Sequence, residues 1–460
     1  MTSAAPARQL RFVMPRRHPA SGPAGAHAGE RLPPVFTWVL LLVILPLFAQ
    51  CFYYLIEIPP AYLLSKAWPV LMAPLAIWAI VRLPLPAKSG YALLLAYTMG
   101  LTPLISMIEL GNGFFDALTT TVKVWPFTYY FGLSALLLWL SPEEERLRQA
   151  CISLGFATIT IMLLLWMVAP TSWYTSDPSQ GKLMLFEQER GYRIYMPMFF
   201  GMLLLFYLVR RFMRRPSLWP AAGVLAILAL ELIIYKQRAS IGAAVLVTGW
   251  GVLSSLPAKP RRMAIAAAGL FAPLAAAAFF LQYGDHFTEW LGGSLSVRQN
   301  SFALATGFLG TDVWHWIFGV GATTRFSAVT LADIFGNAQF YIADLGWVGV
   351  IFEYGLAGAL LLLGLYVWGF LAVYKAARSS GDPFVAALAD YVLFLIITST
   401  VYSLVFTPGE LATVMALAVY LDRRAKSAPA ARTGGPTFTR TAQRRTIGIG
   451  HAATAPETLR

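Results

Sequence analysis

Seven charged residues stand out by type and spacing. "FEQERGYRIYMP" (186–197) carries Arg190 and Arg193 at i, i+3, which share one face if the stretch is helical. "ELIIYKQRASIGAAVLVTGW" (231–250) places Lys236 and Arg238 where two apolar stretches meet with almost no room for a loop. "GSLSVRQNSFALA" (293–305) sets Arg298 at the head of an expected amphipathic helix, and Arg325 follows in the same long segment. "NAQFYIADLGWVGVIFEYGLAGALLL" (337–362) supplies a carboxylate, Asp344, just before an apolar run. A guanidinium is planar, permanently charged and bidentate toward phosphate. Arginines from three separate segments can therefore converge on one anion, and a lipid-linked pyrophosphate at a membrane surface is the kind of ligand that suits them. Asp344 is the candidate general base or positioning group for an attacking hydroxyl. Each residue also has a plainer role. Arg238 fits a side chain that snorkels to headgroups, and Asp344 fits a helix N-cap.

The elements that must position these groups are membrane helices. The chain has 460 residues, 58% hydrophobic and 12% charged, with a mean hydropathy of +0.62. No soluble fold has enough interior for that apolar surface. A span needs about 20 apolar residues, and its backbone must be satisfied within the segment. Apolar runs at about 35–56, 67–83, 89–109, 119–140, 149–169, 195–210, 218–235, 239–256, 263–282, 345–373, 384–405 and 409–421 predict twelve spans with both termini on one side. Residues 1–34 and the basic 424–460 read as disordered cytoplasmic tails around a helical domain, 35–423.

The formal net charge of +13 does not point to nucleic acid, because the excess sits in the tails and in short loops such as "RRFMRR" (210–215) and "KPRRM" (259–263). Those loops fall on the inner side of the twelve-span count, as the positive-inside rule expects. Lys236, Arg238, Arg190, Arg193, Arg298 and Arg325 then lie outside, against the usual bias, and need another reason. The longest outer segment, 283–344, is semi-apolar with glycine breaks and reads as short helices folded over the bundle.

Other candidates carry less. Glu353, inside a span, is either functional or paired with Lys123. Gly355 and Gly358 permit close approach of a neighbour. Asp390 and Glu231 suit packing or pairing; His286 and His315 suit loop structure; Trp290, Trp314 and Trp316 suit interfacial anchoring or sugar stacking. Cys51 and Cys151 form no disulfide framework or metal motif. No Walker loop, nucleophile elbow, zinc motif or CxxC occurs, so neither ATP-driven transport nor zinc chemistry has support.

Three of these stretches resemble one family. "YKQRASIGAAVLV" looks like the Arg/Ser/Gly helix start of bacterial O-antigen polymerases and ligases. "SVRQNSFALA…WIFGVGATTRF" is similar to their Arg-headed helix followed by an apolar, glycine-bearing turn. "YIADLGWVGVIFEYGLAGALLLL" resembles the next segment as it stands in exopolysaccharide polymerases. The resemblance covers about residues 185–375 and implies an all-α, GT-C-like polytopic membrane glycosyltransferase; arginines that neutralise the leaving group would make a metal unnecessary, no cofactor is expected, and a single displacement would invert the anomeric carbon. Its donor would be an oligosaccharide on undecaprenyl pyrophosphate. Arg238 and Arg298 match the family's pyrophosphate-binding arginines, with Asp344 as the third candidate catalytic residue. Arg190, Arg193, Lys236 and Arg325 complete the expected pyrophosphate site. Other implied partners are membrane lipid, a chain-length regulator and export machinery. The family's ligases carry a His-x-Asn/Ser/Gln element about a dozen residues before a G-x-x-G; counting back from Gly355 reaches Ala343 and Leu345, with no histidine. That favours a polymerase over a ligase. A secondary transporter would instead place its polar groups at mid-membrane between inverted halves; a non-catalytic assembly subunit is the remaining alternative.

Overall fold

The computed structural model describes residues 33–177, 180–291, 293–322, 331–336 and 340–427. The chain is overwhelmingly helical. In order come α1 (Pro34–Phe48), α2 (Pro59–Arg82), α3 (Lys88–Glu109, with a π turn at Tyr97–Leu101), α4 (Phe114–Thr119), α5 (Tyr129–Leu140) and α6 (Glu144–Val168). A hairpin of β1 (Met184–Glu187) and β2 (Gly191–Ile194) follows. Then come α7 (Phe199–Arg214), α8 (Leu218–Tyr235), α9 (Arg238–Ser255), α10 (Ala258–Leu291), α11 (Gly293–Leu309), α12 (Val313–Phe318) and α13 (Leu331–Phe335). The chain closes with α14 (Trp347–Ser380), α15 (Pro383–Thr398) and α16 (Pro408–Ser427).

Among the described residues, α2, α3, α6, α8 and α14 are long and apolar enough to cross a membrane, and α1 and α15 are shorter apolar helices. The long helices turn apolar side chains outward. On α14, Leu356, Leu360, Leu363, Val367 and Leu371 are all exposed and recur every three or four residues, forming a stripe along one face. Such a stripe belongs against lipid, not water. The short helices sit inside this ring. Every residue of α7 from Phe199 to Val209 is buried, as are most of α15 and α16. A helix that is apolar all round is a core element. Enclosed by protein, it can be short and end in irregular backbone, because neighbours satisfy the freed polar groups. The apolar run 119–140, for instance, is broken by 3₁₀ turns at Thr120–Lys123 and Trp125–Thr128 before α5 begins.

Two charged pairs lie within this interior. Glu353 pairs with Lys123, the partner its sequence context allowed. Asp390 takes a bidentate pair from Arg210, at 2.6 Å from Nε and 2.5 Å from Nη2. Glu231 is fully buried, and neither of its carboxyl oxygens has a hydrogen-bond partner among the described residues.

The stretch 186–197 is not the helix on which Arg190 and Arg193 would share a face. It forms the hairpin, with Leu185 opposite Arg193 and Glu187 opposite Gly191. Gly191, at φ +67°, closes the three-residue loop 188–190, a conformation that favours glycine. The β-prone Tyr192 and Ile194 then outweigh a helical reading that rested on spacing alone.

A second irregularity joins the outer segment to α14. Gly355 breaks the helix at φ +64°, ψ −179°. The turn after α12 fits into the break: Val320 donates its amide to the carbonyl of Phe352 at 2.8 Å. A Cβ on Gly355 would stand 2.2 Å from the carbonyl oxygen of Ile317. Tyr97 seals the joint by donating to the carbonyl of Tyr354 at 2.7 Å. The close approach expected at Gly355 and Gly358 is thus made: at Gly355 the neighbour is the end of α12 and the turn after it, and at Gly358 it is the ring of Tyr97.

Candidate functional site

Three of the candidate arginines and the candidate base meet. Arg190, Arg193, Arg298 and Asp344 all line one cavity of about 710 Å³, together with Glu187, Tyr195, Gln237, Ser301, Tyr341 and Tyr402 among others. They come from the hairpin, α11 and the 3₁₀ turn Ile342–Leu345.

The hairpin delivers two of them. Its start is tied down where Glu57 accepts the amides of Lys182 and, at 2.6 Å, Leu183. Its far side is held by Lys236, whose ammonium donates to the carbonyls of Arg190 at 2.9 Å and Tyr192 at 3.0 Å. Glu187 and Arg193 share one face of the hairpin, and Glu187 ion-pairs with Arg193 and, at 3.3 Å, with Arg190. One carboxylate therefore answers two guanidiniums. The Nε atoms of Arg193 and Arg298 are buried without a hydrogen-bond partner among the described residues, whereas that of Arg190 faces Glu187. Buried donors left open in this way favour an incoming acceptor. Arg298 lies over the ring of Tyr402, 5.7 Å from its centre.

Asp344 is fixed from behind. The amide of Ser403 donates to the carbonyl of Ala343 at 2.8 Å, and Gly346, at φ +53°, sits against the carbonyls of Ser399 and Thr400. Asp344 is no helix cap: Gly346 occupies the N-cap of α14, with no side-chain cap bond. Its carboxylate makes no hydrogen bond or ion pair among the described residues. Burial pushes its pKa above the usual carboxylate value, against the pull of Arg298, Arg190 and Arg193, with Glu187 adding to the rise.

Two expected members stand outside this wall. Lys236 spends its ammonium on the hairpin backbone. Arg238, half-buried at the head of α9, has Arg190, Glu189 and Glu187 as its charged neighbours but does not line the cavity. The reason is local. Lys236 adopts φ +56°, which turns the chain sharply before α9 and aims its own side chain at the hairpin. Arg325 lies outside the described residues, as do the side chains of His286 and Trp290 and nearly all of the tails 1–34 and 424–460. His315 braces the outer segment through a 2.9 Å contact with Glu109 on α3. Trp316 donates to the carbonyl of Gly310 at 3.0 Å, and Trp314 is exposed.

The arginine cavity shares Tyr195, Gln237, Asp344 and Tyr402 with a second one of about 380 Å³, walled largely by aromatic and apolar side chains. Its lining includes Tyr54, Tyr235, Tyr391, Phe394 and Glu410, and Tyr391 donates to Glu410 at 2.8 Å. Asp344 thus stands between a cationic chamber and an aromatic one. Sequence reasoning missed Glu187, Tyr195, Tyr402 and Glu410. Only Glu187 left a signal, as a carboxylate three residues before Arg190 and six before Arg193.

No protein-family model matches this chain, and no curated protein matches it in sequence. Among the described residues, no group of three or more His, Cys, Asp or Glu side chains is placed to hold a metal ion. What the arrangement offers chemically is a cluster of fixed positive charge beside a partly buried carboxylate.

Proposed function

We propose that this chain is a polysaccharide polymerase that joins oligosaccharide repeat units carried on a lipid pyrophosphate. The observation that carries the reading is the convergence of Arg190, Arg193, Arg298 and Asp344 on one cavity. The guanidiniums would bind the pyrophosphate of the donor and take up the charge it develops on leaving. A sugar hydroxyl of a second lipid-linked unit attacks the anomeric carbon. Its proton passes to Asp344, and the carbon–oxygen bond to the pyrophosphate breaks with the electron pair staying on the leaving group. A single displacement inverts the anomeric centre. The aromatic chamber on the far side of Asp344 suits an acceptor sugar, since tyrosine offers both an apolar face and a hydroxyl.

The remaining features of this reading follow from the resemblance and from charge. The bundle is taken as twelve spans of GT-C-like type in a bacterial inner membrane, with both termini cytoplasmic and the arginine cavity on the periplasmic side. The "RRFMRR" and "KPRRM" loops then fall inside. Asp344, in place of a histidine element, favours polymerase over ligase.

The test is glycan output from cells carrying Arg298→Ala and Arg298→Lys at normal membrane abundance. Loss of polymer with accumulation of single lipid-linked repeats supports the reading. Polymer of normal amount from both variants overturns it. Intact polymer that is never transferred to its final lipid acceptor would assign the site to a ligase.

A further inference from the structure

Helix α7, whose start lines the candidate site, carries a second concentration of charge at its opposite end, and α9 and α15 reach the same place. Helix α7 has Phe199 and Met202 in the wall of the aromatic chamber and reaches Arg210, Arg211 and Arg214 after some 16 residues. Helix α9 runs from Arg238 to Ser254 and Ser255, and α15 runs the other way, from Pro383 to Thr398 in the chamber wall. At the far end lie two more cavities. One, of about 410 Å³, is lined by Arg210, Arg214, Arg261 and Arg378 with Ser254 and Ser255. The other, of about 580 Å³, is lined by Arg148, Arg211, Arg214 and Arg215. Arg214 and Asp382 belong to both walls.

Most of this charge is not answered by the protein. Arg210 is neutralised by Asp390, and Arg148 by Glu145, with Asp382 at 3.7 Å. Arg211, Arg214, Arg215, Arg261 and Arg378 have no ion pair with a carboxylate among the described residues. Arg214 donates to the carbonyl of Gly381 at 2.8 Å, which fixes its position without cancelling its charge. Marking one side of a membrane requires only that positive charge be present there. It does not require guanidiniums to wall two concavities with one of them shared. Phosphate is the common anion at the ends of membrane helices, and guanidinium matches its oxygens in pairs.

We propose that this end of the bundle binds two phosphate groups at once, one in each cavity, with Arg214 between them. The site is separate from the arginine cavity around Asp344 and does not depend on the glycan reading. A lipid headgroup with two phosphodiesters and a soluble polyphosphate share the required chemistry. The size of the two cavities, and a guanidinium between them, suit phosphates held apart by a spacer.

The experiment measures the unfolding temperature of the full chain in neutral detergent. The additions are diphosphatidylglycerol, phosphatidylglycerol, phosphatidylcholine and, as the soluble arm, inorganic tripolyphosphate. The expected result is a rise of roughly 3–6 °C with diphosphatidylglycerol, a smaller rise with phosphatidylglycerol and none with phosphatidylcholine. The rise is lost in Arg211→Gln/Arg214→Gln and kept in Arg298→Ala. A rise with tripolyphosphate alone that the double variant abolishes keeps the phosphate site and assigns it to a soluble anion. No rise with any phosphate, or an undiminished rise in the double variant, overturns the proposal. Should the double variant fail to fold, Arg378→Gln, an exposed position, serves in its place.

Discussion

The ammonium of Lys236 donates to the carbonyl oxygen of Arg190 at 2.9 Å, so the charge at the junction of two helices props a hairpin. It holds the backbone on which two cavity arginines are mounted. Lys236→Met is expected to loosen residues 184–194, at a cost of about 1–3 kcal/mol for the charged hydrogen bonds. Hydrogen exchange of the hairpin amides, compared with those of α7, checks this. Unchanged hairpin protection would return Lys236 to a direct role with the anion.

Arg298 has a different signature. It lines the cavity and its Nε has no partner to lose. Arg298→Ala should leave the unfolding temperature within a degree or two while polymer formation falls by roughly 10²–10³-fold, the scale of one lost charge-stabilising donor. A fall in stability as large as that of Lys236→Met would show a structural role instead.

Asp344 gives the pH dependence. Burial raises its pKa, so the ionised form, which alone can accept the proton, fills at a higher pH than for an ordinary carboxylate. The rate should climb as pH rises through that shifted value. The sign for stability is opposite: the protonated form is favoured by folding, so this contribution is full below the unfolded pKa and is lost as pH rises through the folded one. Asp344→Asn should remove the acid limb of the rate profile and flatten the stability loss over the same window. A wild-type acid limb retained in Asp344→Asn would exclude it as the base.

Gly355→Ala tests the joint between the outer segment and α14. The new methyl would meet the carbonyl of Ile317 on a backbone at positive φ, a combination expected to cost at least about 3 kcal/mol. Gly364→Ala, on the same helix with nothing within 4 Å, is the control and should be neutral or slightly stabilising. Unfolding temperatures of the two variants decide the matter.

Breaking the Lys123–Glu353 pair should be worse than deleting it. The two side chains are 11% and 2% exposed. Lys123→Met alone leaves a buried carboxylate and should destabilise by about 3–5 kcal/mol, whereas Lys123→Met/Glu353→Leu should recover much of that loss. A double variant no more stable than the single one would contradict this account.

Much of this arrangement is legible in the sequence, for identifiable reasons. Apolar runs report helices because burial and lipid select the same side chains along a stretch. Arg190, Arg193, Arg298 and Asp344 were legible as a cluster because charge beside apolar runs, in stretches expected to lie opposite the basic loops, needs a partner or a ligand. The hairpin was not legible: a pair of four-residue strands is too short for periodicity to report, and Arg190 and Arg193 satisfy a helical spacing by coincidence. The place of Arg238 was hidden by the left-handed turn at Lys236, which a lysine rarely adopts. Tyr195, Tyr402 and Glu410 gave no signal, since aromatics and a carboxylate near helix ends have ordinary uses.

Arg210 grips Asp390 on α15, the carbonyl of Gly251 and the hydroxyls of Ser254 and Ser255 on α9, all from its own place on α7. Mechanically this is a rivet through three rods. None of the three can slide along its neighbours or turn about its own axis without breaking a bond to that one guanidinium, so the frame behind the hollow around Asp344 is keyed in a single register.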